Sequence, residues 1–433
     1  MSTSQLKENA EDLPRYRLIP QAVLLGGLTG LVSVGFHIAV DRGDAFRIRW
    51  LLLAKQNLEL GPWLVLILAL LAILLSIGLV RRFAPEAAGS GIPHLKFVLL
   101  ANQPLRWFRI LVIKFVSMLI GNMGGLILGR EGPSVHMGGA IGEGISQYWR
   151  GQSRLNRSIL IAAGGGSGLA AAFNAPLSGL TFVLEELERR CSPAEFFVAA
   201  IACLSADMVC RALLGQNPVF HISIAGMPPL NQLAVFIPMG IVAGGLGVVF
   251  NFAVLRGQKL MQLSGLSQSI WWLALTIIVA TVAWIWPELL GGGQSLINNL
   301  LAEPSLGLRS VIGFWAIRFG LTVASACSGA AGGIFMPILA LGGFLGWATG
   351  LATHLLLPES AVDMQLFVVV GMAAYFSATV QAPLTGIVLV IEMTANYDLI
   401  LPLFIGSFTA LLIASALRGQ PIYNALMKNS LRV

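Results

Sequence analysis

Charge is scarce in this 433-residue chain: Asp, Glu, Lys and Arg make up 11% of it and hydrophobic residues 56%, where a soluble domain is roughly a quarter charged. No soluble fold hides that much apolar surface. Residues 319–417 contain no Lys or Arg, and the stretches 61–80, 271–284 and 367–391 are likewise free of both. A spanning helix needs about 20 apolar residues, so roughly ten or more segments are long enough to enter a bilayer, and the chain reads as one membrane domain. Cysteine is also sparse. Cys191, Cys203, Cys210 and Cys327 show no metal-ligand spacing and lie mostly in apolar stretches, which argues against a zinc site or a disulfide framework and leaves packing. No cofactor motif is present.

Residues 1–20 mix Lys7, Arg15 and Arg17 with Glu8, Glu11 and Asp12 and lack the basic-then-apolar-then-small layout of a signal peptide. They read as a short solvated tail. The net charge of +7 is spread over short loops instead of one patch, so nucleic acid is not an expected partner. The loop cations Arg42, Arg47, Arg49 and Lys55 compete with both basic tails, and charge counting alone does not orient the chain.

Glycine (49) and proline (20) recur inside the apolar stretches, a pattern of short or broken helices. Comparing the halves makes this concrete. Pro133, Gly138, Gly139 and Gly142 recur as Pro337, Gly342, Gly343 and Gly346, displaced by 204 residues. Asn174-Ala-Pro-Leu-Ser-Gly, running on to Glu185 and Glu186, recurs as Gln381-Ala-Pro-Leu-Thr-Gly, running on to Glu392 and Met393, displaced by 207. Two ordered matches at nearly one offset imply duplication. The repeats are placed at 21–215 and 233–418, joined by a linker at 216–232 and followed by a short segment, 419–433, that carries Tyr423. Duplicated transporters often invert their halves and place broken-helix ends at the bilayer midplane, so inversion is expected here.

Three runs combine permissive glycine with a proline suited to a helix's first turn: Gly89-Ser90-Gly91-Ile92-Pro93, Gly129-Arg130-Glu131-Gly132-Pro133 and Gly333-Ile334-Phe335-Met336-Pro337. At a helix start the first amides lack intrahelical partners, so converging starts would hold an anion without a full positive charge. Partial charges also permit release, which conduction requires. Close helix packing is the competing use of such glycines. Glu131 sharpens the choice, because a carboxylate in the membrane costs roughly 2.5–3.5 kcal/mol unless paired, hydrated or protonated. It is expected to occupy the anion's place and to leave when protonated. Arg130 is its neighbour, but adjacent helical residues point in different directions. Glu185 and Glu188 read as a solvated helix end with charge pairs to Arg189 and Arg190, Glu392 as structural, and Asp207 as a buried, bonded polar group.

The three motifs, in this order and spacing, resemble the signature of the CLC family of chloride channels and chloride/proton antiporters, over nearly the whole chain. The resemblance implies an all-α polytopic fold of two inverted repeats of tilted and broken helices, with a pore in each subunit of a homodimer and both termini cytosolic. It implies chloride and protons as the transported partners within a lipid bilayer, in a prokaryotic plasma membrane. Residue by residue, it makes Ser90 and Tyr423 hydroxyl donors to the anion and Ile334 and Phe335 sources of backbone amides. Glu131 becomes the outer gate and Glu186 the inner proton-transfer group. With ten residues after Tyr423, the chain resembles the compact prokaryotic type without a regulatory C-terminal domain. Two departures stand out: His94 replaces a common glutamate and reads as a solvated loop residue, and Lys96 stands where some antiporters have an acid, which makes the inner approach more positive.

Antiport of chloride against protons is the expected function, with a passive chloride channel on the same scaffold as the alternative. Glu186 favours the antiporter, and Ser90 favours chloride over nitrate. An intramembrane hydrolase, prompted by Gly165-Gly166-Ser167-Gly168, would need a base within reach of the serine. None of His37, His94, His136, His221 and His354 has the spacing to identify one, so enzyme activity is not expected.

Overall fold

The computed structural model describes residues 18–149, 153–188, 192–223, 229–263, 267–302, 306–358 and 362–430. The expectations for residues 1–17, Arg189, Arg190 and Cys191 fall outside these. The described residues form helices and no named strand. The first half runs α1 (Ile19–Ala54), α2 (Gly61–Phe83), α3 (Ile92–Ala101), α4 (Trp107–Met123), α5 (Glu131–Tyr148), α6 (Arg154–Phe173), α7 (Pro176–Phe182) and α8 (Pro193–Leu214). The second repeats that order as α9 (Phe236–Leu263), α10 (Ser267–Ile285), α11 (Gln294–Ala302), α12 (Leu308–Ala326), α13 (Phe335–Leu356), α14 (Met364–Val380), α15 (Pro383–Thr394) and α16 (Ile400–Ala416). A last helix, α17 (Ile422–Ser430), follows.

Packing repeats as well as order. The neighbours α5–α6, α1–α8, α6–α8 and α1–α6 recur as α13–α14, α9–α16, α14–α16 and α9–α14. Steric detail explains why the duplicated glycines are needed. A Cβ on Gly138 would lie 2.1 Å from the Gly164 carbonyl and one on Gly342 2.4 Å from the Gly371 carbonyl, while Gly142 and Gly346 meet Leu160 and Phe367 as closely. These glycines serve close helix packing, the competing use considered above.

Seven helices among the described residues are long and apolar enough to span a bilayer, while the apolar α3, α14 and α15 are shorter. That is fewer than composition suggested. The difference lies in the broken helices and in the glycine-rich α5 and α6, whose neighbours, not lipid, cover them. Exposure agrees: α2 has a largely exposed apolar surface, with Leu64, Ile67, Leu71 and Leu75 outward, whereas α13 is 78% buried. The outer helices face lipid and the motif helices sit at the centre of a multi-pass membrane protein.

Inversion is visible where α7 meets α15. Beyond α7 the chain makes one π turn, Val183–Leu187, and such turns re-aim side chains. Glu185 in this turn accepts hydrogen bonds from the Leu384 amide (3.1 Å), the Thr385 amide (2.7 Å) and the Thr385 hydroxyl (2.7 Å), capping the start of α15. Glu392, near the end of α15, accepts from the Leu177 amide (3.0 Å), the Ser178 amide (2.7 Å) and the Ser178 hydroxyl, capping the start of α7. Each helix end caps the other's beginning, so the two run antiparallel, as inverted repeats require. Glu185 is therefore not a solvated helix end; its carboxylate is spent on the opposite repeat. Glu392 is structural, as expected. Asp207 bonds Arg211 (2.6 Å), and Cys203, Cys210 and Cys327 are buried and free.

This clasp sets a stability prediction. Glu185→Gln and Glu392→Gln should each cost about 0.5–2 kcal/mol, the range for losing a helix cap, with anion transport retained. Thermal melting in detergent is the measurement, and unchanged melting in both variants would sink the idea.

Candidate functional site

Each half contains a Pro-Glu-x-x-Gly-x-Gly loop, and the two loops are the foundation of the site. Pro85-Glu86 leads to Gly89-Ser90-Gly91, and Pro287-Glu288 leads to Gly291-Gly292-Gly293, displaced by 202 residues. Both open with a short 3-10 turn. Both place their outer glycines at positive φ, 61° and 84° in the first and 74° and 107° in the second. Sequence comparison overlooked this third match because the second copy lacks serine and a following Pro.

A buried cation holds each loop. Lys114 on α4 donates to the carbonyls of Ala87 (2.9 Å) and Gly89 (2.6 Å). Arg318, the equivalent residue on α12, donates to the carbonyls of Leu289 (2.8 Å), Gly291 (3.1 Å) and Gly292 (2.6 Å). Neither cation forms an ion pair among the described residues, so loop carbonyls take the place of a counter-ion. Their signal in the sequence was positional: both lie at the same point of the repeat, 204 residues apart.

The three motifs are joined directly. Gly89 exchanges backbone hydrogen bonds with Ala330 (3.0 Å) and Gly332 (2.9 Å), and Gly129 pairs with Gly333 in both directions (2.6 and 2.8 Å). The starts of α5 and α13 consequently meet. Glu131, the first residue of α5, is 2% exposed, and its Oε2 accepts from the Met336 amide (3.3 Å) at the start of α13. Phe335, its counterpart 204 residues on, packs between Phe173 and Phe376. Ile334 precedes it and is buried. Pro93, Pro133 and Pro337 all fall in the first helical turn, where a missing N–H costs nothing.

Two hydroxyls complete the constellation. Ser90 Oγ and the Tyr423 hydroxyl are buried, and neither makes a hydrogen bond among the described residues, a costly condition for a buried donor. Ser90 Oγ borders Gly132, where a Cβ would lie 2.5 Å from it. Tyr423 is close enough to feel the charges of both Glu131 and Glu186. Two cavities border these residues. One of about 410 Å³ is bordered by Asp41, Arg47, Arg130, Glu131 and Gln294. The other, of about 450 Å³, is bordered by Glu86, Ser90, Gly91 and His94. Glu131 thus borders the first cavity and Ser90 the second.

Arg130 turns away from Glu131 and donates to Asp41 (2.9 Å) and Gln294 (2.6 Å) in the first cavity. Glu186, brought round by the π turn, accepts from Lys96 Nζ at 2.5 Å with both side chains nearly inaccessible. Lys96 therefore does not add a free positive charge to the inner approach. His94 is helical and not a solvated loop residue: its Nδ1 lies 3.0 Å from Nε2 of the fully buried His136. These pairings join residues 42 to 164 positions apart, and no local pattern announces them.

Residues 72–415 match the family model for the voltage gated chloride channel. The chain is 39% identical over 434 residues to the H(+)/Cl(-) exchange transporter ClcA of Vibrio cholerae, covering 98% of this chain and 92% of that protein. It is 38% identical over 421 residues to the protein of the same name from Salmonella arizonae, covering 96% and 89%. Among solved structures it is similar to a slow cyanobacterial Cl-/H+ antiporter, with TM-score 0.90 and 33% identity over 97% of this chain and 98% of that one. The fold alone is shared with a CLC-type fluoride/proton antiporter, at TM-score 0.79 and 20% identity over 95% and 98%.

Gly91 generates a prediction. Its φ of 84° disfavours a side chain, by about 1–2 kcal/mol, and the His136 ring stands 2.3 Å from where a Cβ would be. Gly91→Ala should abolish chloride flux in liposomes and lower the melting temperature. Adding His136→Ala should restore only part of the stability, since it removes the ring contacts and leaves both the 2.6 Å approach of the Cβ at position 136 and the φ penalty. Wild-type flux in Gly91→Ala would refute this account of the loop.

Proposed function

The chain belongs to the voltage-gated chloride channel (CLC) family, and we propose that it exchanges chloride for protons across the membrane, with Glu131 as outer gate and proton acceptor and Glu186 as inner proton relay. The observation that carries the proposal is the Glu131 carboxylate resting on the Met336 amide at the start of α13. A carboxylate there occupies an anion's position at a helix start. Chloride competes with it for the same partial charges. Protonation removes the carboxylate's charge and with it most of its advantage over chloride, so the side chain swings toward the cavity lined by Asp41 and Arg130, carrying its proton. Chloride then takes the vacated place, held by Ser90, Tyr423 and the amides of Ile334 and Phe335. The two unspent hydroxyls support that ligand set.

Glu186 is the second carboxylate of the coupled path, paired with Lys96. Its presence and the exchanger relatives favour antiport over passive conduction. The glycines and prolines of the three motifs, Gly89, Gly91, Ile92, Pro93, Gly129, Gly132, Pro133, Gly333, Met336 and Pro337, act as the selectivity frame. The repeats divide the chain at 21–215 and 233–418, joined by 216–232, with 1–20 and 419–433 cytosolic. The protein works as a homodimer in a prokaryotic plasma membrane, each subunit with its own pore.

Reconstitution into liposomes tests this. An imposed chloride gradient should drive protons uphill, and chloride flux without linked proton movement would make the protein a channel. Glu131→Gln should keep anion flux and lose proton coupling. Glu186→Gln should lower proton flux by about 100-fold, the low end for a positioned proton-transfer group, with a much smaller effect on chloride. Equal loss of both fluxes would give Glu186 a structural role.

A further inference from the structure

The Lys96–Glu186 pair closes the floor of a third cavity, of about 700 Å³, whose walls include Glu188, Gln420, Asn424 and Lys428. Resting on the assignment of Glu186 above, we propose that Glu188 is the group that loads protons from this cavity, and that Lys96 is the positioning residue that moves its charge between Glu186 and Glu188 as the proton passes.

The geometry favours a relay over direct protonation of Glu186. Its carboxylate is 3% exposed and bound to Lys96 at 2.5 Å. Protonating it in place would leave the Lys96 ammonium buried without a counter-charge, a state that costs several kcal/mol. Glu188 removes that difficulty. It follows the π turn in extended conformation, φ −129° and ψ 105°, held by its amide donating to the Val183 carbonyl (2.7 Å). It borders the same cavity as Lys96 and Glu186 but is less deeply buried. Its carboxylate makes no hydrogen bond or ion pair among the described residues.

The step balances without a change of buried charge. A proton from cavity water adds to a Glu188 carboxylate oxygen. The O–H bond at Glu188 then breaks as one forms at Glu186 through the cavity's water. Lys96 keeps its three protons and turns from the neutralised Glu186 to the re-ionised Glu188. One ammonium and one carboxylate stand together before and after. Lys96 lies on α3, the helix that begins at the Ser90 loop, so the relay is anchored to the element that bears the anion site.

The charged groups around Glu188 set its working range. Glu186 precedes it on the same segment, Lys96 faces the cavity from α3 and Lys428 from α17, and Glu195 stands on α8, where it closes the capping box with Ser192. Burial, and then the charge of Glu195, push the Glu188 carboxyl up to about 7. Below that pH it is loaded. Above it, each pH unit removes roughly tenfold of the protonated form, so proton flux should fall as the pH on this side rises through about 7.

Flux measurements on the whole protein in liposomes, with pH varied on the side this cavity faces, decide the matter. Glu188→Gln should lower coupled proton flux by roughly tenfold, less than the loss of Glu186 because cavity water offers a partial bypass, and should flatten the pH profile around 7. Glu188→Asp should restore a titrating profile. Lys96→Met should weaken coupling and Lys96→Arg should rescue it, while Lys96→Met with Glu186→Gln removes both buried charges and controls for folding. Wild-type proton flux and pH profile in Glu188→Gln and Lys96→Met, alongside lost coupling in Glu186→Gln, would overturn the relay and leave the assignment of Glu186 standing. Coupling that survives Glu186→Gln would overturn both.

Discussion

A helix that stops inside a membrane leaves peptide groups with no water to satisfy them, and every feature of this protein follows from how those groups are paired. The loop carbonyls go to Lys114 and Arg318. The starts of α7 and α15 go to Glu392 and Glu185, each through two backbone amides and one hydroxyl. The start of α13 is different. It meets Glu131 through one long hydrogen bond of 3.3 Å. Two amide bonds of 2.7–3.1 Å from one helix start, reinforced by a hydroxyl, fix a carboxylate to it, whereas the single stretched one from α13 holds it weakly there. The same chemistry thus makes a clasp at one pair of helix starts and, in the proposed exchange cycle, a removable plug at another.

The sequence carried the fold class, the duplication and the convergence of the three motifs, because each depends on a local or periodic signal. Scarce charge and long apolar runs require a membrane, and Gly-Pro runs mark helix starts. Other features were beyond such signals. Whether Glu185 was solvated or spent on α15 depended on a contact 199 to 200 residues away. Lys96 looked like an added positive charge until its partner, 90 residues on, was seen. His94 looked solvated until α5 brought His136 against it. Propensity describes a residue's neighbours in the chain, but the value of a buried charge is set by its neighbours in space.

The glycines show how two competing explanations can both hold. Gly138, Gly142, Gly342 and Gly346 let α5 and α13 approach α6 and α14 to backbone contact. Gly91 does something else, combining a left-handed turn with room for His136. Packing glycines recur in both halves because the frame recurs. The glycines at the loops and helix starts recur with them, since the chain must turn in both places.

Four of the differences between the halves border the cavities. Glu131 stands opposite Phe335, Ser90 opposite Gly292, Glu186 opposite Met393 and Lys96 opposite Asn298. In the second half these positions are apolar, absent or neutral. A two-fold repeat with identical residues would offer a symmetric site with two equal plugs and no preferred sequence of steps. One carboxylate stands at the start of α5 and the other in the turn after α7, paired with Lys96, so under the proposed function the two proton acceptors are unlike. The duplicated residues build a frame of paired helix ends, and these four unduplicated ones, each bordering a cavity, are where transport chemistry can reside.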